Sequence, residues 1–272
     1  MTPKKALCIH DMSTVGRCSL AVITPVISSM GIQAVSLPTA VLSTHFGGFG
    51  PVAMEDLTDF CRRTLEHYKT IGLSFDCVYS GFLSSVEQME LVRQAFEMAD
   101  GGIKLCDPVM ADHGKLYSSI TEDLVQGVKE LCRHSDIITP NPTEALILLG
   151  EDYTQNVFSR QEAEDIAKRL AEKYSDVIIT GTKLDDGSTV CVGYEKKHQQ
   201  IFFIELNYLP VSYPGTGDLF GACLAGYMMN GHSLQSSCEK SARFIEKCVA
   251  YTFEAGTPTK YGVHLEPMLK YI

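Results

Sequence analysis

The sequence predicts an α/β fold with three layers: a mostly parallel central sheet, helices on both faces and an antiparallel hairpin at one edge. Three observations carry this prediction. Short apolar runs rich in β-branched residues alternate with longer amphipathic segments, the amphipathic segments have helix start signals, and two late runs flank a turn-like stretch. Such alternation is typical of parallel strands covered by helices. The 272 residues are expected to form one domain, 1–272, because no repeat, low-complexity segment or linker interrupts them.

Buried parallel strands are predicted where short apolar runs occur, because a parallel strand is covered on both faces. The six runs are Ala6–Ile9, Ala34–Leu37, Cys77–Tyr79, Ile103–Cys106, Asp136–Thr139 and Asp176–Thr180. The edge hairpin is predicted from Thr189–Gly193 and Gln200–Leu206, which flank a polar turn at 195–198.

Helices are predicted between these strands. Ser84 with Glu87 and Ser159 with Glu162 have the spacing of a capping box, and apolar residues recur at helical spacing after each. From Leu234 onward a third helical pattern continues until a glycine, Gly256, ends it. Strand and helix therefore alternate to the end of the chain.

Composition excludes several classes of partner. The net charge is −10, so the general field of the protein repels nucleic acid and anionic lipid. No apolar run approaches the roughly 18 residues of a membrane span. The ten cysteines are scattered without a C-x-x-C pair, and the amino-terminal apolar stretch is too short for a signal peptide. We therefore expect free thiols and a cytoplasmic protein. An anionic small substrate stays compatible, since backbone N–H groups or Mg²⁺ supply local positive charge.

Four polar residues and one aromatic residue directly follow the predicted strands. Asp11, Phe82, Asp107, Thr139 and Thr180 each stand at the end of a different strand. Ligands of an open α/β sheet bind beyond the carboxyl ends of its strands. The sequence therefore predicts a binding site at this edge.

The densest motif, Tyr213-Pro-Gly-Thr-Gly-Asp218, precedes a strongly apolar helix. Gly215 and Gly217 leave backbone N–H groups uncovered at the helix start, where the dipole favours negative charge. These groups can hold a phosphoryl group while the Asp218 carboxylate accepts a proton from an attacking hydroxyl. An ordinary first-turn aspartate with closely packed glycines is an equally good interpretation of the motif alone.

Two further motifs carry carboxylates. Asp107 and Asp112 surround a strand end, which suits a Mg²⁺ that takes its other ligands from phosphates and water, although an Asp-Pro turn explains the same residues. Asn141 and Glu144 have the spacing of a helix cap with a proline between them. Glu144 is also a candidate to face the same metal.

An aromatic, glycine-rich loop runs from Leu42 to Gly50 and contains His45. Phe46 and Phe49 are costly to leave exposed, so the loop is expected to act as a lid over a flat ligand or as an interface. A mobile surface loop is the alternative.

Three motifs together resemble those of the pyridoxal (pyridoxine, pyridoxamine) kinases of the ribokinase-like superfamily. They are, in chain order, Asp107-Pro-Val-Met110, Thr139-Pro-Asn141 with Glu144, and Gly215-Thr-Gly-Asp218. The resemblance runs over nearly the whole chain. It implies ATP-dependent phosphorylation of the 5′-hydroxymethyl group of a vitamin B6 vitamer, by an enzyme usually found as a homodimer.

The resemblance also implies roles for individual residues. Asp218 would be the catalytic base, and the anion hole would be formed by Gly215, Thr216 and Gly217. The ATP phosphates and Mg²⁺ would lie among Asp107, Asp112 and Glu144, with Tyr117 near a monovalent cation such as K⁺. Nucleotide contacts would come from Thr139, Asn141 and Thr180. Contacts to the pyridine ring would come from Asp11, with Ser13 beside it, and from His45 and Phe82.

Departures from the family pattern leave the preferred vitamer open. Asp11 stands where many pyridoxal kinases have Ser, Phe46 where Thr is common, and Phe82 where Tyr is common. An aspartate at the first position is closer to the hydroxymethylpyrimidine kinases of thiamine synthesis, which are the alternative, although the Ser-Gly-Gly-Ala-Gly run of those enzymes is absent. A non-catalytic vitamer-binding protein on the same fold is a further alternative.

Overall fold

A nine-stranded sheet forms the centre of the fold in the computed structural model, which describes residues 3–207 and 209–272. The strands, in chain order, are β1 (Lys5–Ser13), β2 (Gln33–Leu42), β3 (Met54–Asp56), β4 (Cys77–Ser80), β5 (Ile103–Cys106), β6 (Ala111–Asp112), β7 (Lys115–Leu116), β8 (Ile137–Ile138), β9 (Asp176–Lys183), β10 (Thr189–Glu195) and β11 (Gln200–Glu205). The spatial order of the sheet is β11-β10-β9-β8-β5-β4-β1-β2-β3, and β6 pairs with β7 in a separate ribbon.

The strands from β9 to β2 pair in parallel, as predicted. The hairpin of β10 and β11 is antiparallel and lies at one edge of the sheet, which confirms that prediction too. The short strand β3 covers the other edge in antiparallel pairing with β2, and neither β3 nor the β6–β7 ribbon was predicted. Strands of two or three residues have no periodicity that distinguishes them from a loop.

Helices cover both faces of the sheet. They are α1 (Leu20–Ser29), α2 (Thr58–Thr70), α3 (Val86–Phe96), α4 (Glu122–Cys132), α5 (Pro142–Leu149), α6 (Arg160–Lys173), α7 (Thr216–Met229) and α8 (Leu234–Glu254). Helices α1, α7 and α8 share one apolar cluster with Ala6 and Cys8, whereas helices α2 to α6 share the other cluster with Leu7 and Ile9. Alternate residues of β1 thus reach opposite faces, and this confirms the predicted three-layer α/β fold.

The helix starts correct one prediction. Ser159 and Glu162 form the predicted capping box, and Gly256 follows the end of α8 with a φ of 63°. The N-cap of α3, however, is Ser85, which accepts from the backbone N–H of Gln88; Ser84 is not the cap. The physical reason is a set of bonds that Gln88 of α3 makes to residues outside the helix. Its side-chain amide donates to Thr39 O on β2 and accepts from Ser84 N. Both bonds place the helix start one residue later.

The ten cysteines are all free and buried, in agreement with the expectation from their scatter along the chain. Within the two described ranges, no helix combines the length and apolar character needed to cross a lipid bilayer.

Candidate active site

The predicted site lies at the carboxyl ends of the parallel strands. Asp107 directly follows β5 and Thr139 directly follows β8, as predicted. Asp11 and Thr180 do not follow strands: each lies within a strand, because β1 and β9 continue beyond the apolar runs that predicted them. Both residues nevertheless lie at the predicted edge of the sheet, since both are near the carboxyl ends of their strands.

Asp218 stands in the first turn of α7, next to the predicted glycines. Gly215 is the N-cap and has a φ of 80°, and a β-carbon there would lie 2.1 Å from the carbonyl oxygen of Arg17, so no other residue fits without movement. Asp218 Oδ2 accepts a hydrogen bond of 2.8 Å from Ser19 N. Burial raises the pKa of Asp218 to about 6, where a carboxylate can exchange a proton near neutral pH.

Asp11 is buried at the end of β1, close to Asp218. Its Oδ1 accepts from the Ser19 hydroxyl at 2.6 Å and its Oδ2 accepts from the Ser13 hydroxyl at 3.3 Å. Burial raises the pKa of Asp11, against the opposite effect of both hydroxyls. The predicted substrate residues Asp11 and Ser13 are therefore in direct contact, with Ser19 as a third member that the sequence did not reveal.

His10 is a second residue that sequence reasoning missed. Its side chain has no exposed surface, and neither ring nitrogen has a hydrogen-bond partner in the described part of the chain. The ring packs edge-on against the ring of Tyr79, with the two ring centroids 4.4 Å apart. His10 Nδ1 lies 3.8 Å from Asp218 Oδ1. A histidine in a strand gives no signal of its own in the sequence. The glycine at position 81 is explained by it, since a β-carbon there would lie 2.3 Å from the imidazole.

Asp107 faces the start of α7. A β-carbon on Gly217 would lie 3.7 Å from Asp107 Oδ2. Burial, and then the negative charges of Glu144 and Asp218, raise the pKa of Asp107 well above its ordinary value. The structure therefore brings three of the predicted carboxylates into one electrostatic environment.

Glu144 performs the capping role that was one of its two interpretations. Its Oε2 accepts from Asn141 N at 2.9 Å and its Oε1 accepts from Met110 N at 3.0 Å, so the carboxylate joins the start of α5 to the loop after Asp107. Burial raises the pKa of Glu144 to about 8 despite these donors. A metal role for Glu144 stays a prediction.

Asp112 and Tyr117 lie beside this group on and after the β6–β7 ribbon. The Asp112 side chain is partly exposed and accepts from His113 N at 2.7 Å. Burial, and next the charges of Glu144 and Asp112, raise the pKa of Tyr117. In residues 3–207 and 209–272, no three His, Cys, Asp or Glu side chains come together as a metal site. A Mg²⁺ here would need phosphate and water ligands to complete its coordination.

The predicted nucleotide residues lie at the ends of β8 and β9. Thr139 is buried and its hydroxyl has no partner among the described residues, and the same holds for the Thr182 hydroxyl. Thr180 is partly buried and donates its N–H to the carbonyl of Pro140. The side-chain amide of Asn141 donates to Ala111 O at 2.7 Å. Buried hydroxyls without a partner are costly unless a ligand or water pairs them, so Thr139 and Thr182 are suitable contacts for a polar ligand.

His45 lies in a loop that packs on the carboxyl-terminal part of its own chain. His45 Nδ1 accepts from Gly47 N at 3.0 Å, so Nε2 carries the proton and donates to Lys260 O at 2.7 Å. Phe49 packs edge-on against Tyr261, with the ring centroids 5.4 Å apart, whereas Phe46 is 56% exposed. Both ring nitrogens of His45 are thus occupied, and its predicted contact with a substrate stays a prediction. The same is true of Phe82, which packs partly buried against the larger apolar cluster.

A family model described as phosphomethylpyrimidine kinase matches residues 25–263. This chain belongs to that family. The resemblance to pyridoxal kinases is also confirmed.

Two solved structures and one curated relative are similar over most of their length. A Bacteroides thetaiotaomicron protein provisionally named phosphomethylpyrimidine kinase, solved with pyridoxal, is 33% identical with a TM-score of 0.94, covering 99% of this chain and 96% of that one. Pyridoxal kinase from Lactobacillus plantarum is 28% identical with a TM-score of 0.92, covering 99% and 96%. A provisionally named pyridoxal kinase of Schizosaccharomyces pombe is 27% identical, covering 84% of this chain and 74% of that one.

Proposed function

We propose that this protein is an ATP-dependent kinase that phosphorylates the 5′-hydroxymethyl group of pyridoxal and related B6 vitamers, in vitamin B6 salvage. One observation carries the proposal. Asp218 lies in the first turn of α7, three residues after an N-cap glycine with a φ of 80°, and its pKa is raised to about 6 by burial. The Lactobacillus plantarum relative is a pyridoxal kinase, and the Bacteroides thetaiotaomicron structure contains pyridoxal, which supports the choice of substrate.

Asp218 is the base in this proposal. Its Oδ2 is held by Ser19 N, so the carboxylate is oriented before a substrate arrives. It accepts the proton of the hydroxymethyl group as that oxygen attacks the terminal phosphorus of ATP, while the bond from that phosphorus to the bridging oxygen breaks and ADP leaves. The uncovered N–H groups at the start of α7, from Gly215 to Gly217, hold the negative charge of the transferred phosphoryl group.

The carboxylates at this end of the sheet fit a Mg²⁺ ion. Asp107 is buried and its pKa is raised in part by the nearby charges of Glu144 and Asp218, an arrangement that a cation relieves. Asp107, with Asp112 and Glu144 beside it, would hold the ion on the ATP phosphates. When bound, Mg²⁺ neutralises charge that develops on the phosphates. K⁺ near Tyr117 belongs to the same proposal.

A cytoplasmic location and a homodimer complete the proposal. Ten buried free cysteines suit a reducing compartment, and the homodimer follows from the resemblance to pyridoxal kinases. Thr139, Asn141 and Thr180 are the proposed nucleotide contacts, and Asp11, Ser13, His45 and Phe82 the proposed vitamer contacts.

A side-by-side kinase assay tests the proposal. Pyridoxal, pyridoxine, pyridoxamine and hydroxymethylpyrimidine are each supplied with Mg²⁺ and ATP, and ADP release is measured. We expect the B6 vitamers to be phosphorylated with the higher kcat/KM. A higher value for hydroxymethylpyrimidine would assign the protein to thiamine synthesis, an alternative that the relatives do not favour. Pyridoxal binding without ADP release would indicate a non-catalytic vitamer-binding protein.

The variant Asp218→Asn tests the base in the same assay. Removal of a positioned general base is expected to lower kcat by roughly 10² or more, while pyridoxal still binds in calorimetry. Asp136→Asn is a matched control, because Asp136 Oδ2 accepts a strand N–H, that of Lys104, at the opposite end of the sheet. Near-normal turnover of Asp218→Asn would remove Asp218 from the mechanism.

A further inference from the structure

Ser19 has an unusual backbone conformation for a residue with a side chain. It lies between β1 and α1, is 6% exposed, and has a φ of 50° and a ψ of −134°. Glycine adopts this region readily, whereas a residue with a β-carbon is strained there. A strained residue in a buried position indicates that its side chain makes an interaction that glycine would lose.

That interaction is made by the hydroxyl of Ser19. Ser19 is the N-cap of α1, yet its side chain accepts no hydrogen bond from the helix. Five other N-cap side chains do accept one from their own helix: those of Ser85, Thr121, Asn141, Ser159 and Ser233. The Ser19 hydroxyl donates instead to Asp11 Oδ1, at 2.6 Å. The hydroxyl therefore binds a carboxylate and does not cap the helix.

The backbone of the same residue contacts the second carboxylate. Ser19 N donates to Asp218 Oδ2 at 2.8 Å. Asp11 and Asp218 are close enough that the charge of Asp11 contributes to the raised pKa of Asp218. Ser19 therefore donates to two neighbouring carboxylates that repel each other, one from its side chain and one from its backbone.

We propose that Ser19 is a positioning residue that links the substrate-side carboxylate Asp11 to the base Asp218. Its hydroxyl fixes the orientation of Asp11, and its N–H fixes that of Asp218, so that a vitamer bound at Asp11 and the base hold a constant relative position. This inference rests on the proposed function. The chain of contacts is vitamer, Asp11, Ser19 and Asp218, and Ser19 itself touches no reacting atom.

Two variants separate the hydroxyl from the backbone. Ser19→Gly removes the hydroxyl and the strain but keeps the N–H to Asp218, whereas Ser19→Ala removes the hydroxyl and keeps the strain. We expect both to lower kcat/KM for pyridoxal by roughly tenfold, the scale of one hydrogen bond to a charged group, with the KM for ATP within about twofold of the original. Ser19→Gly should unfold at a higher temperature than Ser19→Ala.

This pattern distinguishes positioning from a structural role. A merely structural role predicts that the kinetic loss follows the loss of stability, so that Ser19→Gly would be nearly normal and Ser19→Ala impaired. That result, or an equal rise of the KM for ATP, would overturn the proposal. Ser159→Ala is the control, since Ser159 caps α6 far from these carboxylates. It should lower the unfolding temperature and leave the kinetics unchanged.

A double-mutant cycle tests the link even if no vitamer is phosphorylated. Urea unfolding is measured for Ser19→Ala, Asp11→Ala and the double variant. Residues in direct contact give non-additive changes in stability. Additive changes would contradict the link between Ser19 and Asp11 whatever the enzyme's substrate is, while a missing kinase activity with non-additive changes would overturn only the proposed function.

Discussion

His10 has a fully buried side chain near several carboxylates, and among the residues that the structure describes no group meets either ring nitrogen at hydrogen-bond geometry. Burial lowers its pKa to about 3, so the imidazole is neutral at physiological pH. Its neighbours explain why it stays there: Gly81 leaves room for the ring and Tyr79 packs against its edge. A neutral imidazole 3.8 Å from Asp218 adds no positive charge that would keep the base ionised.

A stability prediction follows from this lowered pKa. An unfolded histidine has a pKa near 6.5 and His10 a folded value of about 3, so the stability that His10 contributes is present above 6.5 and is lost as the pH falls toward 3. His10→Gln removes this titration. The free energy of urea unfolding of the original protein should therefore fall relative to the variant by about 1.4 kcal/mol per pH unit between pH 6 and 5.

The control for this measurement is His113→Gln, at a side chain 79% exposed to solvent. Parallel curves of stability against pH for the original protein and His10→Gln would contradict the assignment of a neutral, buried imidazole.

Among the elements, α7 has a start that depends on a contact with a distant part of the chain. Gly215 meets two requirements there: a φ of 80°, and an approach so close that a β-carbon would lie 2.1 Å from the carbonyl of Arg17. Gly231, just past the other end of the same helix, has a φ of 90°, but no atom of the described residues lies within 4 Å of where its β-carbon would be. A side chain at Gly231 would therefore meet backbone strain alone, whereas one at Gly215 would meet backbone strain and a steric clash.

Gly215→Ala and Gly231→Ala make this comparison experimentally. Both should lose roughly 1 kcal/mol for the left-handed conformation, and Gly215→Ala should lose a further 1 to 3 kcal/mol because the backbone of Arg17 must move. Gly215→Ala should also lower kcat, since the N–H groups before Asp218 shift with it. Equal stabilities in urea unfolding, or normal turnover of Gly215→Ala, would contradict the close approach as the reason for this glycine.

At the scale of the whole molecule, an acidic chain keeps several carboxylates buried together. The net charge is −10, and the pKa of Asp218 is raised to about 6 and that of Glu144 to about 8 by burial. A carboxyl group whose pKa is higher in the folded state than in the unfolded state contributes stability at any pH below its unfolded pKa. That contribution is lost as the pH rises from the unfolded pKa through the folded pKa. The protein without ligands is thus expected to be less stable at pH 8 than at pH 6.

Magnesium and nucleotide should reverse this loss. Mg²⁺ with ADP is expected to raise the Tm by several degrees, and by more at pH 8 than at pH 6, because a cation offsets the charge of the ionised carboxylates. Thermal unfolding with and without ligand at both pH values measures the difference, with NaCl at equal ionic strength as the control. Glu144→Gln should flatten the pH dependence of the ligand-free protein between pH 6 and 8 more than Asp218→Asn does, because the folded pKa of Glu144 is about 8 and that of Asp218 about 6. A ligand effect that is equal at both pH values would contradict this account.

Local patterns in the sequence were sufficient for most of the fold. The apolar runs predicted all six parallel strands, the alternation with helices predicted the layers, and the capping residues Asn141 and Ser159 predicted two helix starts. These features depend on residues close in the chain, whose spacing alone determines which side chains share a face. The third start, at Ser85 instead of Ser84, depends on a glutamine bonded to another strand, which no local pattern contains.

The motif residues of the site were likewise visible in the sequence, since Asp218 and Asp107 stand beside glycines and a proline that mark turns. Their partners were not. Ser19 lies 199 positions from Asp218 and looks like an ordinary helix cap, and His10 looks like one more residue of a strand. Only the folded chain brings β1, the start of α1 and the start of α7 together. Burial and contacts between distant residues decide which groups are ionised and which are oriented, and these properties are absent from the order of the residues.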